Sequence, residues 1–320
     1  MTTLITGGAG FVGSRLAIQL ASMGQPIVIL DNFNDFYDPA IKRANVAALG
    51  KDVPVIEGDI RDTALVTKLF NDYGITRIAH LAGLANVRRS IEAGDLYADV
   101  NTTGTVNLMN IARKYPVSVF VQISTSSVYG NAKRIPFSEE DTPDKPLSPY
   151  PASKRAAELF AYTYYQLHKL NVTILRLFNV YGPNGRIDMM PMRTIDAILN
   201  DKVITVYDEG KLQRDWTYVD DTVAGIVSAL NRPMGYEIIN LGYGSPISLN
   251  EFIKIYEELI GKKAIVEYAP APASEPRITY CDNSRAVELL DFNPQVKINE
   301  GLARTWAWYQ TQKQLLGKPS

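Results

Sequence analysis

Glycines at positions 7, 10 and 13 separate a short apolar run, Thr2 to Thr6, from an amphipathic stretch that reads as a helix to about Met23. A strand entering a helix through such glycines lets the backbone approach a pyrophosphate, whose charge is met by free amides and the positive end of the helix. The glycines alone discriminate little. The context strengthens them, because a second apolar strand follows, Pro26 to Leu30, and ends in Asp31. A carboxylate there accepts hydrogen bonds from an adenosine ribose and repels a 2′-phosphate, which favours NAD over NADP.

The alternation continues along the chain. Val53 to Ile56 reads as a third strand, Thr63 to Tyr73 as a helix, and Arg77 to Gly83 as a fourth strand with its exit. A long helix through Asn101 and Asn107 leads to a fifth strand, Val117 to Ser124, and Val172 to Phe178 gives a sixth. Strands alternating with helices predict an α/β fold, a Rossmann-like doubly wound parallel sheet. Ligands in such sheets collect beyond the carboxyl ends of the strands, where Asp59, Ala82 and Ser124 fall. His80 lies inside its strand and reads as a packed structural residue. After Phe178 the pattern loosens into a smaller mixed α/β lobe. No linker separates the two, so the expected division is 1–178, with later segments returning to it, and 179–320.

Tyr150-Pro-Ala-Ser-Lys154 is the stretch with chemistry in it. Pro149 and Pro151 mark a helix start, and residues four apart project from the same face. A phenol with a pKa of about 10 is a poor base at neutral pH, but a neighbouring positive charge favours its phenolate. Tyr150 is therefore a candidate proton acceptor, with Lys154 as its support.

The charge balance narrows the partners. Thirty-three basic and thirty-four acidic residues leave a net charge of -1, so no global field points to nucleic acid or an anionic membrane. One cysteine, Cys281, can form neither an internal disulfide nor a thiolate metal site, and two histidines are too few for a histidine-based metal centre. No stretch reaches membrane-spanning length, and the N-terminus shows no basic segment followed by an apolar core. A cytoplasmic protein without a metal is expected.

The glycine turn, the hydroxyl-rich Ser124-Thr-Ser-Ser-Val-Tyr-Gly130 and Tyr150-x-x-x-Lys154 together resemble the extended short-chain dehydrogenase/reductase superfamily, specifically its nucleotide-sugar epimerases and dehydratases. By that pattern, the hydroxyl 25 positions before the tyrosine completes a catalytic set of Thr125, Tyr150 and Lys154. Independently, a row of hydroxyls can both donate to and accept from a sugar alkoxide. The resemblance implies an NAD site drawing on Gly7, Gly10, Phe11, Val12, Gly13, Asp31, Asn32, Asp59, Ile60, Leu81, Ala82, Asn101, Ser124, Tyr150 and Lys154. It places Ser126 and Ser127 against the sugar and implies a homodimer through the helix after Tyr150.

The second lobe would then hold a UDP-sugar, with Asn179 at the diphosphate and Arg214 and Arg277 neutralising its charge. Guanidinium groups present paired donors that suit phosphate oxygens. Relatives often carry an arginine in an Arg-x-Gly-Asp segment upstream, whereas this chain has Ala271-Pro-Ala-Ser-Glu275. Two further stretches, Asp31 to Pro39 with Lys42 and Arg43, and Gly182 to Met189, resemble UDP-glucuronate 4-epimerases and place Arg186 near the sugar. Asn179 departs from the threonine usual in those enzymes and matches UDP-glucose 4-epimerases. Ser126 and Ser127 stand where related decarboxylases and dehydratases carry an acid. Inversion at C4 of UDP-glucuronate is therefore implied. The alternatives are a neutral UDP-sugar epimerase, a UDP-glucuronate decarboxylase, or a non-catalytic NAD-binding protein.

Overall fold

The computed structural model describes residues 1–316 other than 51, 273 and 274, with side chains as far as 312. Strand and helix alternate through the first half: β1 (Thr2–Thr6), α1 (Phe11–Ser22), β2 (Ile27–Asp31), α2 (Pro39–Ala47), β3 (Val55–Glu57), α3 (Thr63–Tyr73) and β4 (Ile75–His80). Two short helices, α4 (Val87–Glu92) and α5 (Gly94–Tyr97), run through a π turn at Ala98–Thr103 into α6 (Gly104–Ala112). Then come β5 (Val119–Thr125), a 3₁₀ turn at Ser126–Tyr129, α7 (Pro149–His168) and β6 (Val172–Leu177).

The remainder supplies β7 (Val180–Tyr181), α8 (Met190–Leu199), β8 (Val203–Tyr207), β9 (Gln213–Arg214), β10 (Thr217–Tyr218), α9 (Val219–Leu230) and β11 (Tyr236–Leu241). It closes with β12 (Ile247–Ser248), α10 (Leu249–Ile260), β13 (Ile265–Ala269), β14 (Ile278–Thr279), α11 (Ser284–Leu290) and α12 (Ile298–Leu316).

Seven strands form one parallel sheet in the order β11-β6-β5-β4-β1-β2-β3. The order reverses between β1 and β4, which opens the crevice where such sheets bind ligands. Strand residues alternate between two cores, as a period of two requires. Ile27 and Ile29 of β2 join the core under α1 and α9, whereas Val28 and Leu30 join the one under α3, α6 and α7. Each fully buried side chain of this size contributes roughly 1.5–3 kcal/mol. The first core runs without a break into the part of the chain after β6 through Trp216, Phe252, Tyr256 and Leu302.

Local chemistry sets several boundaries. Asp62 caps α3 by accepting from the amides of Ala64 and Leu65, and Gly74 ends it in the left-handed region. Ser248 and Glu251 form a reciprocal capping box on α10. Asp220 and Asp221 sit in the first turn of α9, where negative charge meets the positive end of the helix. The seventh strand, β11, is absent from the sequence expectation. Its first three residues, Tyr236 to Ile238, are only half-buried at the sheet edge, so they show neither clean alternation nor a continuous apolar core run.

Candidate active site

The site begins where β1 turns into α1. Gly7 adopts φ +70, and a Cβ on it would lie 2.6 Å from the Ala82 nitrogen at the exit of β4. A Cβ on Gly13 would lie 2.2 Å from the Gly7 carbonyl oxygen. Both positions need glycine because backbone meets backbone there. No side chain caps the N-terminus of α1, so its first amides stay available to an anion. Asp31, nearly buried, accepts from the amides of Ala9 (3.0 Å) and Phe33 (2.9 Å), which fixes its carboxylate beside the turn. Each oxygen keeps a lone pair for a ribose hydroxyl.

These groups line one cavity of about 360 Å³. Around the turn it takes in Gly7, Gly10, Phe11, Val12 and Gly13, and beyond the strand ends Asp31, Asn32, Asp59, Ile60, Leu81 and Ala82. Asp59 accepts from Asn32 Nδ2 (3.0 Å) and from Arg61, whose guanidinium holds its carboxyl down at about 2. The cradle, the uncapped helix and the carboxylate fit a dinucleotide.

Asn101 is the exception among the expected cofactor residues. It is fully buried in the π turn and borders neither this cavity nor the one lined by Arg214. Its Oδ1 accepts from Leu84 N (2.7 Å), and its Nδ2 donates to Leu84 O (2.9 Å) and Ser153 Oγ (3.0 Å). It therefore clamps the exit of β4 onto α7. Its long-range partners give no pattern along the chain.

The same cavity holds the catalytic candidates. Tyr150 is the second residue of α7, Lys154 lies one turn later, and Thr125 ends β5. The Thr125 hydroxyl and the Tyr150 phenol are near neighbours in this cavity. Burial pushes the Tyr150 phenol above its ordinary value, opposed by Thr125 and by the charge of Arg186. The groups that oppose enclosure of the phenol are thus the Thr125 hydroxyl and the Arg186 charge, while Lys154 lies one turn along the same helix in the same cavity. Lys154 itself is buried, which lowers its ammonium to about 8 against the pull of Glu158. Its Nζ lies 3.7 Å from where a Cβ on Gly83 would stand.

Ser126 and Ser127 line the cavity too, and Ser127 N donates to Thr125 Oγ1 (3.1 Å). Ser124 borders it, but its hydroxyl donates to Glu158 Oε1 (2.5 Å) and so is turned toward α7 rather than toward a cofactor. His80 is enclosed between the hydroxyls of Thr6 (2.7 Å) and Thr105 (2.8 Å), and burial lowers its pKa to about 3. It stays neutral and structural.

A second cavity of about 330 Å³ adjoins the first through Asn179, which borders both. Asn179 Oδ1 accepts from Thr279 Oγ1 (3.2 Å). Arg214 lines this second cavity and donates to Glu275 Oε2 (2.9 Å); Arg88 approaches the same carboxylate at 3.7 Å. Arg186 belongs to the first cavity, held bidentate by Asp188 (2.9 and 2.6 Å) and lying over the Phe36 ring. Arg277, expected at the diphosphate, is exposed and borders neither of these two cavities, and its carbonyl accepts from Gln213 N (3.0 Å). Of the divergent segment before it, Ala273 and Ser274 lie outside the described residues. Arg88 and Arg193 bring charge to the second cavity and were missed, because neither belongs to a motif. Only the packing of α4 and α8 brings them there.

Comparison with known proteins places this geometry. Residues 3–242 match the family described as NAD dependent epimerase/dehydratase. The chain is 41% identical over 316 residues to UDP-glucuronate 4-epimerase of Thermodesulfobacterium geofontis, covering 98% of this chain and 97% of the relative. Among solved structures, UDP-glucuronic acid 4-epimerase from Bacillus cereus, in complex with UDP-glucuronic acid and NAD, superposes with a TM-score of 0.92 at 33% identity. That match covers 97% of this chain and 99% of the other. UDP-glucose 4-epimerase from Thermotoga maritima, with UDP-glucose, gives a TM-score of 0.90 at 27% identity, covering 98% and 99%.

Proposed function

This chain belongs to the NAD-dependent epimerase/dehydratase family, and from that premise we propose that it inverts C4 of UDP-glucuronate to give UDP-galacturonate. One observation carries the reading: Thr125, Tyr150 and Lys154 converge in the cavity that also contains the glycine turn and Asp31. NAD, when bound, would supply the hydride acceptor for C4 and, in its reduced form, the donor that restores that carbon from the other face of a transient 4-keto sugar. Gly7, Gly10, Phe11, Val12 and Gly13 cradle its pyrophosphate, with Asp31 at the ribose and Asp59 and Ile60 farther along the cleft.

Tyr150 takes the proton from O4 and gives it back after the flip, acting as a general base and then a general acid. Thr125 assists the phenol from its side of the cavity, and the Lys154 ammonium together with the Arg186 charge favours the phenolate. Ser126, Ser127 and Arg186 receive the hexuronate carboxylate; Arg186 offers a charge that Asp188 and Phe36 hold in place. Asn179 bridges sugar and diphosphate, and Arg214 with Arg88 neutralises the phosphates. Hydroxyls rather than an acid at 126 and 127 favour returning the hydride over elimination or decarboxylation.

The division into an NAD-binding part, 1–178, and a mainly UDP-sugar-binding lobe, 179–320, follows from this reading. A homodimer through α7 is supported by the exposed apolar side chains Leu159, Phe160 and Leu167 on that helix. A cytoplasmic location agrees with the single buried cysteine; among the described residues no helix is long and apolar enough to cross a membrane. Purified enzyme incubated with UDP-glucuronate should give UDP-galacturonate, read by sugar analysis, with no external reductant consumed. Release of carbon dioxide and a pentose, or turnover of UDP-glucose alone, would overturn the reading. Asn179 makes the UDP-glucose arm worth running.

A further inference from the structure

Behind the catalytic segment lies an ion pair that none of the roles above uses. Arg176 of β6 is 1% exposed and Glu158 of α7 is fully buried. Arg176 Nε donates to Glu158 Oε1 (3.0 Å), and Nη2 to Oε2 (2.7 Å), a bidentate fork. The same carboxylate accepts from Ser124 Oγ (2.5 Å) and from Arg155 Nη1 (3.0 Å). Arg176 Nη1 donates to Tyr129 Oη (2.8 Å), which donates onward to Asn240 Oδ1 (2.7 Å) on β11. Asn240 is anchored in turn by Nδ2 to Phe137 O (2.9 Å).

Burying such a pair is a poor route to stability, because desolvation offsets most of the attraction and well-packed apolar residues of similar volume often do as well. What a bidentate guanidinium provides is direction, since its planar fork fixes both partners at once. Here the partners bracket the active segment. Ser124 stands immediately before Thr125, and Tyr129 closes the 3₁₀ turn that holds Ser126 and Ser127. Glu158 itself sits one helical turn beyond Lys154 on α7.

We propose that Arg176, acting through Glu158 and Tyr129, is the positioning residue of the epimerase reaction, pinning both ends of the Thr125–Ser127 segment and the Lys154 turn to one buried point. It touches neither sugar nor dinucleotide. This rests on the function proposed above. It adds that the hydroxyl row is held from behind by β6 rather than by its own loop. A misplacement of reacting groups by about 1 Å can cost about a hundredfold in rate without weakening binding.

The test compares three variants with the parent enzyme: Tyr129→Phe, Ser124→Ala, and the paired Arg176→Met/Glu158→Met, which removes both charges and keeps the volume apolar. Each is assayed for UDP-glucuronate turnover, for UDP and NAD affinity, and for thermal midpoint. We expect kcat to fall at least tenfold in the paired variant and at least threefold in Tyr129→Phe, with KM and both affinities within threefold of the parent. If the paired variant fails to fold, the two single-hydroxyl deletions decide, since each removes one link and leaves the ion pair whole. Parent-like kcat in Tyr129→Phe and Ser124→Ala, or losses of kcat matched by equal losses of affinity, would overturn the inference. A parent that binds UDP and NAD but turns over no UDP-glucuronate would overturn the function instead, and this inference with it.

Discussion

The glycine turn makes a quantitative prediction because its three glycines meet different surroundings. At Gly13 an added Cβ stands 2.2 Å from the Gly7 carbonyl oxygen, so the two atoms must part by about 1.2 Å to reach ordinary contact at 3.4 Å. Backbone cannot yield by changing rotamer, and overpacking of this kind costs about 1–3 kcal/mol. At Gly10 the same atom would sit 3.2 Å from that oxygen, with φ at -72, an ordinary conformation for alanine. Unfolding entropy of about 2.1 cal/mol/K per residue gives about 0.67 kcal/mol/K for 320 residues. Gly13→Ala should therefore lower the thermal midpoint by about 1.5–4.5 °C. Because Gly13 lies in the first turn of α1, whose uncapped amides would receive the pyrophosphate, NAD affinity should fall about tenfold to a hundredfold. Gly10→Ala should stay within about threefold and 1 °C of the parent. Differential scanning fluorimetry and NAD titration by calorimetry read both quantities. Equal losses at the two positions, or unchanged NAD affinity in Gly13→Ala, would refute the claim that close backbone approach is what the glycines serve.

Tyr150→Phe should keep UDP and NAD affinity while kcat falls by about 10²–10⁴, the range of a lost general base, measured by sugar analysis of timed reactions. Glu275→Gln removes the carboxylate that Arg214 and Arg88 now share, and UDP affinity by calorimetry should tighten about threefold to tenfold. Weaker binding would instead make Glu275 an orienter of Arg214. The Lys154 charge is present below its lowered pKa of about 8 and lost above it, so kcat/KM of the free enzyme should decline as pH rises through that value. Lys154→Met should abolish that alkaline limb along with most activity, and a parent profile flat to pH 10 would contradict it.

Much of the active site can be read from the chain because its parts are local. Gly7, Gly10 and Gly13 lie in one turn, Asp31 ends the next strand, and Tyr150 and Lys154 share one helical face; short-range geometry makes each group. Their meeting in one cavity follows from parallel strands whose carboxyl ends lie together. Three residues read from the same sequence changed meaning in the fold. Asn101 spends its amide on Leu84 and Ser153, Ser124 spends its hydroxyl on Glu158, and Arg277 points to solvent. Each is implied by resemblance to a family pattern, which does not report where a side chain finds its partner.

By itself, then, the sequence determined six of the seven sheet strands, the dinucleotide turn and the phenol with its lysine, because periodicity and tight turns are properties of neighbours along the chain. Only the tertiary structure decided which cations face the second cavity, that the Arg186 charge joins Thr125 in countering the enclosure of Tyr150, and that Glu158, Arg176 and Tyr129 meet behind Thr125. Burial and charge act through space, and residues separated by dozens of positions become neighbours only when β5, β6 and α7 pack together.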